Sequence, residues 1–177
     1  MKSGDSLIFH LSGHGGQIAD LNKDETDKLD ETVYVENLTP ITDDELKANL
    51  INKIPKKCKL RCFIDTCHSG SSLDLPFCIK TTNNTYTSES ASCLLSSDVL
   101  CISGCKDNQY SADTVIDDKP AGALTGYLLK SFALASNNET WFELLISVRS
   151  MLKTNNYPQI PQLSIGYKGL ENTILDI

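Results

Sequence analysis

Two short apolar runs, each followed at once by a loop of small and reactive residues, most strongly constrain how this chain can fold. Residues 7–11 read LIFHL and lead into SGHGG, and residues 58–64 read CKLRCFI and lead into DTCHSG. A third run, DVLCIS at 98–103, has a polar exit of the same kind, GCKDNQYSAD. Apolar runs of this length that end in glycine are typical of buried strands. The sequence therefore predicts a buried sheet whose loops carry reactive side chains.

Helical patterns lie between and after these runs. ITDDELKANLINKI at 41–54 begins at a capping Thr42 or Asp43, repeats apolar residues four apart and ends at Pro55. GALTGYLLKSFALA and TWFELLISVRSMLK also have the pattern of amphipathic helices. Strands alternating with helices predict an α/β fold, with a mostly parallel central sheet flanked by helices.

The rest of the chain fits one domain over residues 1–177. Residues 32–35 predict a short strand, and PQLSIGY at 161–167 predicts a final strand at a sheet edge. Residues 81–97, TTNNTYTSESASCLLSS, have no period and are rich in Ser, Thr and Asn, which indicates a flexible surface loop.

Charge and hydropathy exclude several classes of function. A net charge of -7 argues against a nucleic-acid partner, because phosphate binding needs clustered Lys and Arg. No apolar stretch reaches the roughly 18 residues that a membrane helix needs. The N-terminus, MKSGDSLIFHLSGHGG, is broken by glycine too early for a secretory signal, so a cytoplasmic location is expected.

The seven cysteines form an odd set without paired CxxC spacing, which argues against disulfides and zinc. Most lie in apolar runs, where a reduced cysteine behaves as a small hydrophobic residue. Cys67 differs, because Asp65, His68 and Gly70 surround it.

The loops are expected to bring His14, Cys67 and Asp113 to one edge of the sheet. A thiol becomes a strong nucleophile when a nearby imidazole accepts its proton, and Cys67 with His14 fits this division of roles. The backbone amides of Gly15 and Cys67 could form an oxyanion hole. The chemistry predicted is acyl transfer, most simply peptide hydrolysis.

Each residue alone has a plainer interpretation, since a lone histidine or cysteine is more often structural. The pair argues otherwise: both follow apolar strands, and the histidine precedes the cysteine by about 50 residues, as in caspases. His68 is a competing base, but adjacent side chains leaving a strand point in opposite directions.

Taken together, these motifs resemble those of a type I metacaspase, a caspase-like cysteine peptidase of clan CD and peptidase family C14. The motifs that carry the resemblance run in the family's order: HLSGHGGQ, LDETVY, ITDDEL, FIDTCHSGSSLDLP, CISGCKDNQYSADT and PQIPQLS. The resemblance implies a caspase-haemoglobinase fold with His14 as general base and Cys67 as nucleophile. It also implies cleavage after Arg or Lys rather than Asp in protein or peptide substrates, with Ser12 and Asp65 in the pocket for that residue.

Residue chemistry supports the implied pocket and metal site. Asp65 lies two residues before Cys67, so the two share a strand face, and a buried acid there could pair with a basic substrate; alternatively Asp65 caps a loop. The resemblance implies activation by Ca²⁺, which takes oxygen ligands. The matching aspartates are Asp30, Asp43, Asp44 and Asp74. Asp43 and Asp44 could also cap a helix, and DLNKDETD lacks the glycine and glutamate spacing of an EF-hand.

The chain begins only six residues before LIFHL, whereas family members begin further upstream with another strand. We therefore expect either a monomeric peptidase, a chain whose missing strand a partner segment supplies, or a non-catalytic caspase-like interaction module. Family members are often cut after Lys or Arg in loops, which makes Lys80, beside residues 81–97, a candidate processing site.

Overall fold

The computed structural model describes residues 1–21, 28–70, 72–80, 85–88, 95, 97–116 and 119–176. Its strands are β1 Ser6–Ser12, β2 Gly15–Ala19, β3 Leu29–Tyr34, β4 Pro40–Thr42, β5 Lys59–Asp65, β6 Phe77–Ile79, β7 Tyr86–Ser88, β8 Asp98–Ser103, β9 Asp113–Ile116, β10 Lys119–Gly122 and β11 Gln162–Ile165. Its α-helices are α1 Asp43–Asn49, α2 Ala123–Leu134 and α3 Trp141–Thr154. Short 3₁₀ turns cover Glu36–Leu38, Ile51–Lys53 and Leu170–Asn172.

The central sheet has six strands in the order β1-β5-β8-β11-β6-β7. β1, β5 and β8 are parallel, as the three strand-and-loop units predict, but β11 is antiparallel to both β8 and β6, and β7 is antiparallel to β6. The sheet is therefore mixed rather than mostly parallel. The α/β class and the flanking helices are as expected.

β5 lies between β1 and β8, and its alternating side chains pack into the two hydrophobic cores on opposite faces of the sheet. Phe63 packs into the cluster formed with α2 and α3, on one face of the sheet. Leu60, Cys62 and Ile64 face the other side, where Leu46 and Leu50 pack against them. Since strand side chains alternate between faces, a strand apolar at nearly every position must be covered on both faces.

β11 is not the edge strand that its position near the C-terminus suggested. It lies between β8 and β6, and all four of its residues are buried. The prediction was wrong because its polar members, Gln162 and Ser164, resemble a solvated face. In the structure the side chains of these two residues donate to backbone carbonyls, of Ile160 and Pro161 for Gln162 and of Gly70 for Ser164, so a buried position is tolerated.

Two small sheets hold the loops that leave the central sheet. β2 begins at Gly15, within the SGHGG segment, and forms an antiparallel sheet with β3 and β4. β9 and β10 form a hairpin between β8 and α2. β3 confirms the short strand expected near residues 32–35 and begins three residues earlier than expected.

Residues 81–97 fall mostly outside the described part of the chain. Within them, residues 86–88 form β7 on the edge of the central sheet, where no strand was expected. The other edge is β1, whose Ile8 is 50% exposed. Among the described residues, none of the helices is long and apolar enough to cross a membrane.

Candidate active site

The register of the parallel strands places His14 and Cys67 at neighbouring positions. Ser12 at the end of β1 pairs with Asp65 at the end of β5. His14 and Cys67 each follow that pair by two residues, and the Gly13 amide donates to the Asp65 carbonyl at 3.2 Å. The two loops therefore leave the same edge side by side, as the sequence predicted.

Gly15 brings these loops into direct contact. A Cβ atom at this position would lie only 2.1 Å from the Cys67 carbonyl oxygen and 2.9 Å from Cβ of Thr66. The His14 carbonyl accepts a hydrogen bond from the amide of Tyr34 at 3.0 Å, which ties this loop to β3. Glycine is required at 15 because any side chain would push the loop away from Cys67.

Cys67 is the one half-buried cysteine among those described; Cys58, Cys62, Cys78, Cys101 and Cys105 are buried. Its Sγ lies 3.6 Å from the carbonyl oxygen of Ser111, to which the thiol donates. Burial raises the pKa of Cys62 to about 12 and that of Cys105 to about 11, so these remain neutral thiols. Among the described cysteines, Cys67 is the accessible candidate nucleophile.

The three histidines of the chain have different surroundings. His14 is exposed at the protein surface beside Cys67. His68 adopts a positive φ of 51°, and its Nδ1 is hydrogen-bonded to the carbonyl of Asp107, while its ring meets the Tyr110 ring edge-on at 5.0 Å. These contacts hold the His68 ring against the loop after β8. His10 lies within β1 and contacts Thr125.

Asp65 is only 4% exposed, and both of its carboxylate oxygens accept hydrogen bonds. Ser111 Oγ donates to Oδ1 at 2.6 Å, and the Thr125 amide and hydroxyl donate to Oδ2 at 2.8 and 2.7 Å. Asp65 thus contacts the start of α2 as well as the loop after β8. Its role as a loop cap and its role in a substrate pocket are both compatible with these contacts.

A cavity of about 600 Å³ is lined in part by Ser12, Gly122 and Thr125, and all three of these residues lie next to Asp65. The other lining residues include the apolar Ile116 and Leu129 and the basic Lys130. A Cβ at Gly122 would lie 2.1 Å from Asp65 Oδ2 and 3.0 Å from Ser12 Oγ, so glycine is needed there. The lining is mainly apolar and carries the basic Lys130, and the buried carboxylate of Asp65 lies behind Gly122 and Thr125.

Sequence reasoning missed three of the residues that shape this site. Ser111 was visible only as part of a polar loop, and Gly122 and Thr125 only as the start of an amphipathic helix. Asp113, which was expected at the same sheet edge as Cys67, is exposed at the start of β9, where it pairs with Gly122. No local pattern distinguishes a serine that contacts an aspartate 46 residues away from one that contacts water.

The four candidate calcium ligands lie on β3, on α1 and in the loop after β5. Asp30, Asp43 and Asp74 are buried, and Asp43 accepts hydrogen bonds from the amides of Glu31 and Asp44. Burial, with a smaller effect from the charges of Asp74 and Asp30, raises the pKa of Asp43 to about 7 despite those two bonds. Thr42 caps α1 in a capping box with Glu45, which confirms the predicted helix start.

These side chains are hard oxygen donors whose mutual repulsion a divalent cation would relieve, so their chemistry fits Ca²⁺. A cation already lies among them, because Lys47 Nζ is 3.1 Å from Asp74 Oδ2. Among the described residues, no three His, Cys, Asp or Glu side chains are placed to hold a metal ion together. Calcium binding therefore needs Lys47 to move and the carboxylates to converge.

Lys80, the candidate processing residue, lies at the end of β6. Its Nζ is 3.9 Å from Asp107 Oδ2, and both residues line a cavity of about 430 Å³ together with Gln17 and Lys106. This cavity is separate from the one beside Asp65.

The fold and the site together define a caspase-like α/β protein with a histidine loop beside a cysteine. The chain belongs to the caspase-domain family, whose model matches residues 1–167. Metacaspase-1 of Schizosaccharomyces pombe is 32% identical over 92% of this chain and 50% of its own length, and metacaspase-1 of Arabidopsis thaliana is 36% identical over 85% and 45%. The chain spans about half the length of these curated relatives.

A solved structure agrees with the fold. A protein of Geobacter sulfurreducens superposes with a TM-score of 0.66 at 23% identity, covering 98% of this chain and 73% of that one. At this identity the likeness shows the caspase-like fold alone.

Proposed function

We propose that this chain is a calcium-stimulated cysteine endopeptidase that cleaves proteins or peptides after Arg or Lys through Cys67 and His14. The observation that supports it most directly is the contact of Gly15 with the Cys67 carbonyl, at the paired ends of β1 and β5, in a chain of the caspase-domain family. Reduced buried cysteines suit the cytosol, where we propose that the protein acts.

The reaction would run in two halves. The Cys67 proton passes to the His14 imidazole, and the thiolate forms a C–S bond to the substrate carbonyl carbon while the carbonyl oxygen becomes an oxyanion. The amides of Gly15 and Cys67 donate to that oxygen. The C–N bond then breaks, and His14 gives its proton to the leaving amine. Water next attacks the thioester, with His14 taking its proton, and the C–S bond breaks to restore the thiol and release the acid.

Charge favours a basic residue before the cleaved bond. Asp65 supplies a buried negative charge beside the cavity that Ser12 borders. Cleavage after Asp would need a free arginine, and the chain has arginines only at 61 and 149. Arg61 is buried in ion pairs with Asp98 and Asp176, and Arg149 donates to the carbonyls of Pro161 and Ile79.

Ca²⁺ would be held by carboxylates of Asp30, Asp43, Asp44 and Asp74, once Lys47 has left Asp74. Bound calcium would supply positive charge that offsets the repulsion among these side chains. Two of these aspartates connect the calcium site to other elements. Asp43 is the first residue of α1. Asp30 lies on β3, two residues before the segment of β3 that pairs with Gly15 and Gly16 of β2.

The test is hydrolysis of a fluorogenic peptide ending in Arg, with and without millimolar-range calcium, beside a matched peptide ending in Asp. Calcium-dependent cleavage after Arg that is lost in Cys67→Ala is expected. A folded chain that cleaves neither peptide, or that cleaves only the Asp peptide, would contradict the proposal.

Lys80 is proposed as a self-processing site, since its side chain is 29% exposed and it follows directly after β6. Intact-mass analysis after calcium addition should show two fragments from the parent chain and one intact chain from Lys80→Gln. A single intact mass from the active parent would remove Lys80 from the proposal.

One observation favours a second candidate, a module that binds a partner segment. β1 is an edge strand with exposed Ile8, and apolar cavities of about 360 and 330 Å³ lie on its two faces, beside His10 and beside Phe9. An extended segment could add to such an edge by backbone hydrogen bonds. A folded chain that lacks hydrolysis until a strand-forming segment is supplied would favour this candidate.

A further inference from the structure

Asp65 is the final acceptor in a hydrogen-bond network that joins β1, β5, α2 and the loop after β8. Thr125 Oγ1 and Ser111 Oγ reach its two oxygens. Each of these hydroxyls has a second contact: His10 Nε2 lies 3.2 Å from Thr125 Oγ1, and Gln159 Nε2 donates to Ser111 Oγ at 3.0 Å.

Counting protons fixes the direction of this network. An ionised carboxylate only accepts, so both hydroxyls must donate to Asp65. A hydroxyl has one proton, so its second contact must be one that it accepts. His10 therefore donates from Nε2 to Thr125, Thr125 donates to Asp65, and the chain of donors ends at the carboxylate.

The network holds the Asp65 carboxylate in one orientation. Two donors hold Oδ2 from α2 and one holds Oδ1 from the loop after β8, so rotation of the carboxylate would break at least one bond. Gly122 allows the cavity to reach Oδ2 without a side chain in between. A basic group that enters the cavity then meets an acceptor whose position is set in advance, which lowers the cost of binding.

We propose that Thr125 is a specificity-determining residue and His10 a positioning residue, which together orient Asp65 for the basic side chain of the substrate. The inference rests on the proposed cleavage after Arg or Lys. Without the Thr125 hydroxyl, Oδ2 keeps only the backbone donor, and the carboxylate turns more freely. The preference for a charged over a neutral side chain then falls, whereas contacts with the rest of the peptide are unchanged.

The test measures binding rather than turnover. In a Cys67→Ala background, calorimetry gives the affinity for a peptide ending in Arg and for the same peptide ending in citrulline, its neutral analogue. We expect Thr125→Val to lower the Arg-over-citrulline ratio by roughly tenfold, as loss of a bond to a charged group implies. Thr125→Ser should restore the ratio. The remote Thr173→Val, which removes a hydroxyl that donates to the Leu170 carbonyl, should leave the ratio unchanged.

His10→Phe changes an exposed side chain and provides a second test, should Thr125→Val fail to fold. The Arg-over-citrulline affinity ratio of His10→Phe should also fall, but by a smaller factor, because water competes with an exposed donor. An unchanged ratio in folded Thr125→Val, with Arg still preferred by the background chain, overturns this inference alone. Equal affinity of the background chain for both peptides overturns the proposed Arg/Lys specificity and this inference with it.

Discussion

Gly15 is the residue at which a single methyl group should matter most. In Gly15→Ala the new Cβ would meet the Cys67 carbonyl at 2.1 Å, and a backbone atom cannot turn aside as a flexible side chain can. We expect kcat/KM to fall by about 100-fold or more, since misplacing reacting groups by about 1 Å costs this much. The measurement is peptide hydrolysis with circular dichroism as the check of folding.

Gly13 provides a matched control in the same loop. A Cβ at Gly13 meets no described atom within 4 Å, so Gly13→Ala should keep kcat/KM within a few-fold of the parent. Similar activity in both variants would show that the contact between Gly15 and Cys67 is irrelevant to turnover.

Lys47 should act as an internal competitor for calcium. Its ammonium lies 3.1 Å from Asp74 Oδ2, and the Asp74 side chain is only 8% exposed. Lys47→Met keeps the aliphatic bulk and removes the competing charge, so calcium should bind roughly tenfold more tightly. Calorimetric titration of the Cys67→Ala chain measures this without turnover.

Lys53→Met removes the same net charge from an exposed position and serves as the control. Equal calcium affinity in Lys47→Met and Lys53→Met would contradict competition at Asp74. The lack of any calcium binding in all three chains would instead contradict the proposed calcium site.

At the residue scale, the sequence predicted which side chains occupy the edge loops but not their partners. His14, Cys67 and Asp65 follow apolar runs, and the pairing of parallel strands brings such positions together. Ser111 and Thr125 could not be predicted, because their contacts with Asp65 join segments 46 and 60 residues apart. Nothing local in the sequence indicates that Lys47 contacts Asp74, which lies 27 residues further along the chain.

At the scale of elements, local signals succeeded where one segment determines its own structure. The capping box at Thr42 determines where α1 begins, although the helix ends at Asn49 and a 3₁₀ turn covers Ile51–Lys53, short of the predicted end at residue 54. The prediction that β11 is an edge strand was wrong, because its burial depends on pairing with β6, which is distant in the sequence. The order of strands in a sheet is decided by which surfaces remain uncovered, and this is a property of several elements together.

Two helices with the same cap offer an element-scale prediction. Thr42 and Thr140 each form a capping box, with Glu45 and Glu143. Replacing either threonine by alanine should lower the free energy of unfolding by about 1 kcal/mol. Thr42→Ala should also weaken calcium binding, because α1 begins with Asp43 and Asp44, whereas Thr140→Ala should not.

Urea unfolding and calcium titration of both variants measure these two effects. Thr140→Ala controls for general destabilisation, since α3 packs on the opposite core cluster from α1. Equal loss of calcium affinity in both variants would mean that stability, rather than the position of Asp43, sets the affinity.

At the scale of the whole molecule, the C-terminal segment is tied to the centre of the sheet through charge. Arg61 is fully buried in β5, and its guanidinium pairs with Asp98 at 2.8 Å and with Asp176 at 3.0 Å. Asp176 also accepts from Lys59 Nζ at 2.6 Å and from Trp141 Nε1 at 3.3 Å. A buried charge that loses its partner is strongly destabilising. The stability of the core around Arg61 therefore depends on Asp176.

Asp176→Asn should therefore lower the free energy of unfolding near neutral pH, by about 1–2 kcal/mol. This is less than the loss of a fully buried pair, because Asp98 remains and Asp176 is partly exposed and screened.

Burial alone would raise the pKa of Asp176, but the hydrogen bond from Lys59 and the charge of Arg61 outweigh it and lower the pKa. A carboxyl with a lowered pKa in the folded state stabilises the fold above its unfolded pKa of about 4 and loses that effect as pH falls through the folded value. The gap between parent and variant should thus be constant from pH 5 to 8 and narrow below about pH 4, as urea unfolding at each pH would measure. Asp113→Asn, at an exposed position, should change stability little at any pH. A gap that persists unchanged at pH 3 would show that Asp176 acts through packing or neutral hydrogen bonds, and that its charge does not stabilise Arg61.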